Sequence, residues 1–118
     1  MKPIAGYNLG RGPDDIKPYL VVKLKRKWFY DLRRRMFVES SGKKFSPKED
    51  LPKNTRIVYM TPDLVKKPMN SLLKDERDLV RYLQVILPKG TDPTKYLPIL
   101  KRWKCTEEVR FPPEISLP

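Results

Sequence analysis

The chain has 118 residues, enough for one domain around a modest core. Its 39% hydrophobic and 34% charged residues depart in opposite directions from the globular averages of about 45–50% and ~25%, and 26 Lys and Arg against 14 Asp and Glu leave a net charge of +12. With no histidine and one cysteine, the sequence excludes a Cys–His nucleophile pair, a disulfide framework and an ordinary zinc site.

Residues 1–18 carry three glycines and three prolines and few apolar anchors, and read as an extended arm. Arg11, within Gly10-Arg11-Gly12-Pro13, brings a cation on a pliable backbone suited to tracking phosphates; a plain tail is the alternative. The arm lacks the continuous apolar core of a secretory signal. Asp14 and Asp15 interrupt what would otherwise pass for an organellar presequence.

Residues 19–38 organise the chain. Leu20, Val22 and Leu24 alternate with Val21, Lys23 and Lys25, which predicts a strand with one apolar face. The period then changes. Trp28, Phe29, Leu32 and Met36 share a face at helical spacing, so a basic helix is expected next. Between Lys23 and Arg35, seven of thirteen residues are Lys or Arg and Asp31 is the only acid. Trp28 and Phe29 are expected in the local core, leaving Tyr30 to project outward as a stacking residue. Arg33-Arg34-Arg35 would fan around one helical turn, and Lys43 and Lys44 would add cations beside a Gly42 turn.

A polar connector at 46–55 precedes a short strand at 56–60, closed by Thr61-Pro62, and a second connector reaches Pro68. Asn70 or Ser71 is placed to cap a helix over 72–87, with Asp75, Glu76 and Asp78 suiting its positive end. Residues 82–87 fit a buried strand as well as a helix, and the two readings stay open. Thr91-Asp92-Pro93 predicts a helix start, with Pro98 shortening the first turn. Tyr96, Leu100 and Trp103 share its inner face, which is expected to pack on 72–87. A brief strand at 108–111 follows, and 112–118 is an extended tail. The expected fold is therefore α+β: a small domain at 19–111 with a short sheet and two or three helices, between extended arms at 1–18 and 112–118.

Catalytic chemistry finds little support. The carboxylate groups Asp14-Asp15, Asp75-Glu76-Asp78 and Glu107-Glu108 are the only candidates for a magnesium-dependent nuclease, and the middle one is explained by the helix dipole. No glycine-lysine spacing forms a phosphate loop. Cys105 is expected to be a half-buried, unreactive thiol. No cofactor, metal or small-molecule substrate is expected, and no apolar run reaches the ~20 residues of a membrane span.

Basic, punctuated by thirteen prolines, thin in core and without catalytic groups, the chain resembles small ribosomal proteins. It is more similar to those specific to organelles than to the universal bacterial set. The resemblance is one of class, covers the whole chain and rests on no signature motif. It implies rRNA and neighbouring ribosomal proteins as partners, and the mitochondrial matrix, or alternatively the cytoplasm, as the location. Charge and aromatic placement pick out Lys23, Lys25, Arg26, Lys27, Arg33, Arg34, Arg35, Lys43 and Lys44 as phosphate contacts, with Arg11 from the arm and Tyr30 for stacking. The competing reading is an accessory or assembly subunit of a membrane-associated complex, basic because it faces acidic protein or anionic lipid.

Overall fold

The computed structural model describes residues 17–112, so Arg11, the N-terminal arm up to residue 16 and the tail beyond Pro112 lie outside the described residues. In chain order the strands are β1 (Tyr19–Leu24), β2 (Trp28–Asp31), β3 (Met36–Glu39), β4 (Lys44–Phe45), β5 (Arg56–Tyr59), β6 (Tyr82–Ile86) and β7 (Thr106–Arg110). Three short helices join them: α1 (Pro62–Val65), α2 (Lys74–Leu79) and α3 (Leu97–Lys101). The class is α+β, as the sequence predicts, with two sheets where one was expected.

The larger sheet runs β5-β6-β1-β7, antiparallel throughout. Its register builds apolar rows across the inner face. Ile57, Val85 and Leu20 form one row, and Tyr59, Leu83, Val22 and Val109 form the next. All seven are buried in one core cluster, which α3 joins through Leu100. Burying such side chains contributes about 1.5–3 kcal/mol each. Residues 82–86 are thus a strand, not the end of a helix. Leu83 and Val85 point into the core while Tyr82, Gln84 and Ile86 are half-exposed, a period of two. The helix before them is only α2, and neither Asn70 nor Ser71 caps it. Leu73 stands at its N-cap, and the Glu76 carboxylate accepts from the Leu73 N–H at 2.9 Å.

The smaller sheet, β2-β3-β4, replaces the expected basic helix. Trp28 and Tyr30 point inward and are buried, whereas Phe29 is 48% exposed. Helical spacing in the sequence was coincidental: the aromatic and branched runs on either side of 32–35 favour paired strands. Asp31 makes the reversal. Its Oδ1 accepts from the N–H groups of Arg33 and Arg34 at 3.0 and 3.1 Å, and the Arg35 N–H donates to the Asp31 carbonyl at 2.7 Å. The lone acid of the basic run is a turn former.

Phe37, fully buried, joins the layers. Its ring lies 4.8 Å from Tyr30 and 5.4 Å from Trp103, centroid to centroid. Trp103 is buried as expected, but its ring neighbours are Phe37 and Phe45, and its Nε1–H donates to Asp50 at 2.9 Å. The 91–93 start also holds. Asp92 accepts from the Thr94 hydroxyl and N–H, which keeps its carboxyl below the usual range. A 3-10 turn then leads into α3, whose second residue is Pro98.

Candidate nucleic-acid interface

The smaller sheet keeps one face in the core and presents the other to solvent. Cross-strand pairing sets Phe29, Val38 and Lys44 in one row of that outer face, with Asp31 and Met36 in the next. Phe29 and Lys44 are exposed, and Val38 and Met36 are half-exposed. A planar aromatic side chain therefore stands on an open, partly apolar surface.

Cations gather at both ends of this surface. Lys25, Arg26 and Lys27 occupy the turn entering β2, and the Lys27 carbonyl accepts from Ser40 at the end of β3. The 40–43 reversal at this same end carries Lys43, with Lys44 opening β4. Arg33, Arg34 and Arg35 occupy the opposite reversal, about 10 Å away along the three steps of β2. All eight are exposed. From residue 25 to residue 45, eight cations face two acids, a net of +6 and half the charge of the chain.

Backbone geometry adds to this. Lys27 (φ 74°) and Arg35 (φ 55°) are two of three described non-glycine residues with positive φ. An L-residue in that region costs roughly 1–2 kcal/mol, so a cation stands in each turn where glycine would be easier on the backbone.

Lys23 and Tyr30 are placed differently. The Lys23 side chain is only 16% exposed and pairs with Asp78 at 3.4 Å and Glu107 at 3.5 Å, its ammonium 5.4 Å from the Tyr82 ring. Arg81 completes the group, with Nε–H donating to the Leu24 carbonyl and a second nitrogen 2.6 Å from Glu107. Two cations and two acids close on one another there, and Lys23 belongs to that network. Desolvation opposes its charge, but the hydrogen bond to Asp78 and the neighbouring charges outweigh it and raise its pKa.

Tyr30, expected to project outward, is 7% exposed and part of the core. Burial raises the pKa of its phenol. Stacking capacity passes to Phe29, which sequence reasoning assigned to the core. Strand alternation through Trp28-Phe29-Tyr30 was the signal that would have found it.

Comparison with models of protein families, with curated proteins and with solved structures found no significant match to this chain. Among the described residues no group of three or more His, Cys, Asp or Glu is placed to hold a metal ion, and no helix is long and apolar enough to cross a membrane. Cys105 is fully rather than half buried, and burial pushes its thiol pKa up to about 12, far from that of a nucleophile.

Proposed function

We propose that this protein is a non-catalytic RNA-binding subunit of a ribosome of the mitochondrial type, contacting rRNA phosphates and neighbouring ribosomal proteins in the matrix. The observation that carries the RNA-binding reading is the outer face of the smaller sheet. Phe29 stands there between two cationic ends that together hold Lys25, Arg26, Lys27, Arg33, Arg34, Arg35, Lys43 and Lys44. Cations at both ends of a flat surface suit a backbone that runs across it, and an exposed ring between them suits an unpaired base. The ribosomal assignment rests on composition and class resemblance.

The test is a salt titration of single-stranded RNA binding. Affinity drawn from counterion release gives a log K that falls linearly with log salt. Replacing Arg33, Arg34 and Arg35 together by glutamine should reduce the slope by about 0.7 per lost contact, roughly two units in all. An acidic polypeptide of equal charge is the control. If it displaces RNA as well as unrelated RNA does, only charge is being read and the assignment fails. Release of the native protein from its particle by mild RNase supports the subunit role, and retention by protein contacts alone refutes it.

A further inference from the structure

A groove of about 630 Å³ opens beside β2, within the size range of small-ligand sites. Its floor is apolar, with Tyr59 and Leu72 both buried. Arg26 and Lys27, from the turn entering β2, and Lys67, Lys74 and Arg77, from the segment that carries α1 and α2, line it, all exposed and none ion-paired with a described residue. Two acids also line it. Asp78 is engaged by Lys23 and Arg81 at 3.4 Å each, which leaves Asp75 to face five cations. Phe29 belongs both to this groove and to the exposed face of the hairpin sheet.

We propose that the groove receives an unpaired base of the bound RNA, stacked against Phe29, with the flanking phosphates held by the lining cations of the two segments. The proposal rests on the RNA-binding reading above and names the subsite that distinguishes single strands from duplex. Buried apolar side chains and exposed cations lining one groove fit a ligand that joins a flat, apolar part to anionic groups. One nucleotide within a strand has that form. An extended peptide fits less well, because the adjoining edge of β2 offers no ladder for strand addition. The Tyr30 N–H and carbonyl are both bonded to the Tyr59 hydroxyl, and the Trp28 N–H donates to the Lys25 carbonyl.

The experiment compares a single-stranded RNA dodecamer with an abasic ribose-phosphate dodecamer and an RNA duplex, on the full chain. The intact single strand should bind at least tenfold more tightly than the abasic one. Phe29→Ala should erase most of that preference while leaving abasic affinity nearly unchanged. A Lys67→Gln, Lys74→Gln, Arg77→Gln variant, changed only at exposed positions, should lower the salt slope by about 0.7 per lost contact. Equal binding of intact, abasic and duplex probes overturns the subsite. So does an unchanged slope in the groove variant when the Arg33, Arg34, Arg35 variant still loses slope, and in that case the RNA-binding reading survives. If the wild-type chain binds no RNA, both fall. If an acidic polypeptide loses affinity for the groove variant while RNA does not, the groove belongs to a protein partner and the proposal is wrong.

Discussion

The Tyr59 hydroxyl closes the open edge of the smaller sheet by bonding both backbone groups of Tyr30. It accepts from the Tyr30 N–H at 2.7 Å and donates to the Tyr30 carbonyl at 3.0 Å. A side chain of one sheet thus takes the place that a further strand would have beside the other. An open edge is a site for unwanted pairing, and this one is sealed from within. Tyr59→Phe keeps the ring but leaves a buried donor and acceptor without partners, so it should cost about 1–3 kcal/mol. A denaturant titration measures the loss. Amide exchange should show the Tyr30 N–H opening faster while β1 and β6 stay protected.

Trp103, just past α3, packs on the smaller sheet through Phe37 and Phe45 and donates to Asp50 in the segment after β4. Trp103→Ala should cost about 3–5 kcal/mol, the range for emptying a core aromatic site. Trp103→Phe retains most of the packing and loses the Asp50 hydrogen bond, so its loss should be smaller. A change below half a kcal/mol for the alanine variant would contradict the packing described.

Phe29 and Tyr30 are neighbours with opposite consequences. Phe29→Ala removes an exposed ring and should shift stability by no more than about half a kcal/mol, while weakening single-strand binding by about 1–3 kcal/mol for a lost base stack. Tyr30→Ala should instead destabilise the fold by about 3 kcal/mol or more, as loss of a buried aromatic does. Unfolding and RNA titrations on the same two variants separate the roles.

Stability should fall on the alkaline side. The Cys105 pKa is raised from 9.0 to about 12 by burial. Between those values the unfolded chain gives up a proton that the folded chain holds, so stability drops as pH rises, by up to about 1.4 kcal/mol per pH unit. Well below pH 9 the thiol is protonated in both states and contributes nothing. Tyr30 and Tyr59, both raised above 10.0 chiefly by desolvation, act in the same direction at higher pH. Denaturant titrations from pH 8 to 10 should show the decline in wild type and a flatter profile in Cys105→Ala. The folded protein should also resist thiol alkylation at pH 8.

Lys23 should behave unlike the other cations of its run. Lys23→Gln removes a member of a charge network and no exposed phosphate contact, so it should leave the RNA salt slope unchanged and lower stability modestly. Arg81→Ala should cost more, because its Nε–H also satisfies the Leu24 carbonyl. A slope change in Lys23→Gln would show that the network opens when RNA binds.

Local pattern alone determined much of this protein. Alternation over 19–24 and the β-branched run at 56–60 specified two strands, because an apolar face every second residue has only one way to be buried. Asp92-Pro93 marked a helix entry through capping chemistry that needs no distant partner. The excess of cations around 25–35 and 43–44 could be read directly, since charge does not depend on fold. Tertiary structure decided the rest. Residues 28–36 satisfied a helical period, and 82–87 satisfied two periods at once. Their states were settled by what each run could pair with: β3 across an Asp31 turn for the first, β1 and β5 for the second. That choice also determined which aromatic ring is offered to a ligand. In a helix Trp28 and Phe29 share a side, but in a strand consecutive residues face opposite ways, so Phe29 emerges and Tyr30 is buried. Lys23 was drawn away from solvent by Asp78 and Glu107, which lie 55 and 84 residues further along the chain. No local pattern carries information about partners so distant.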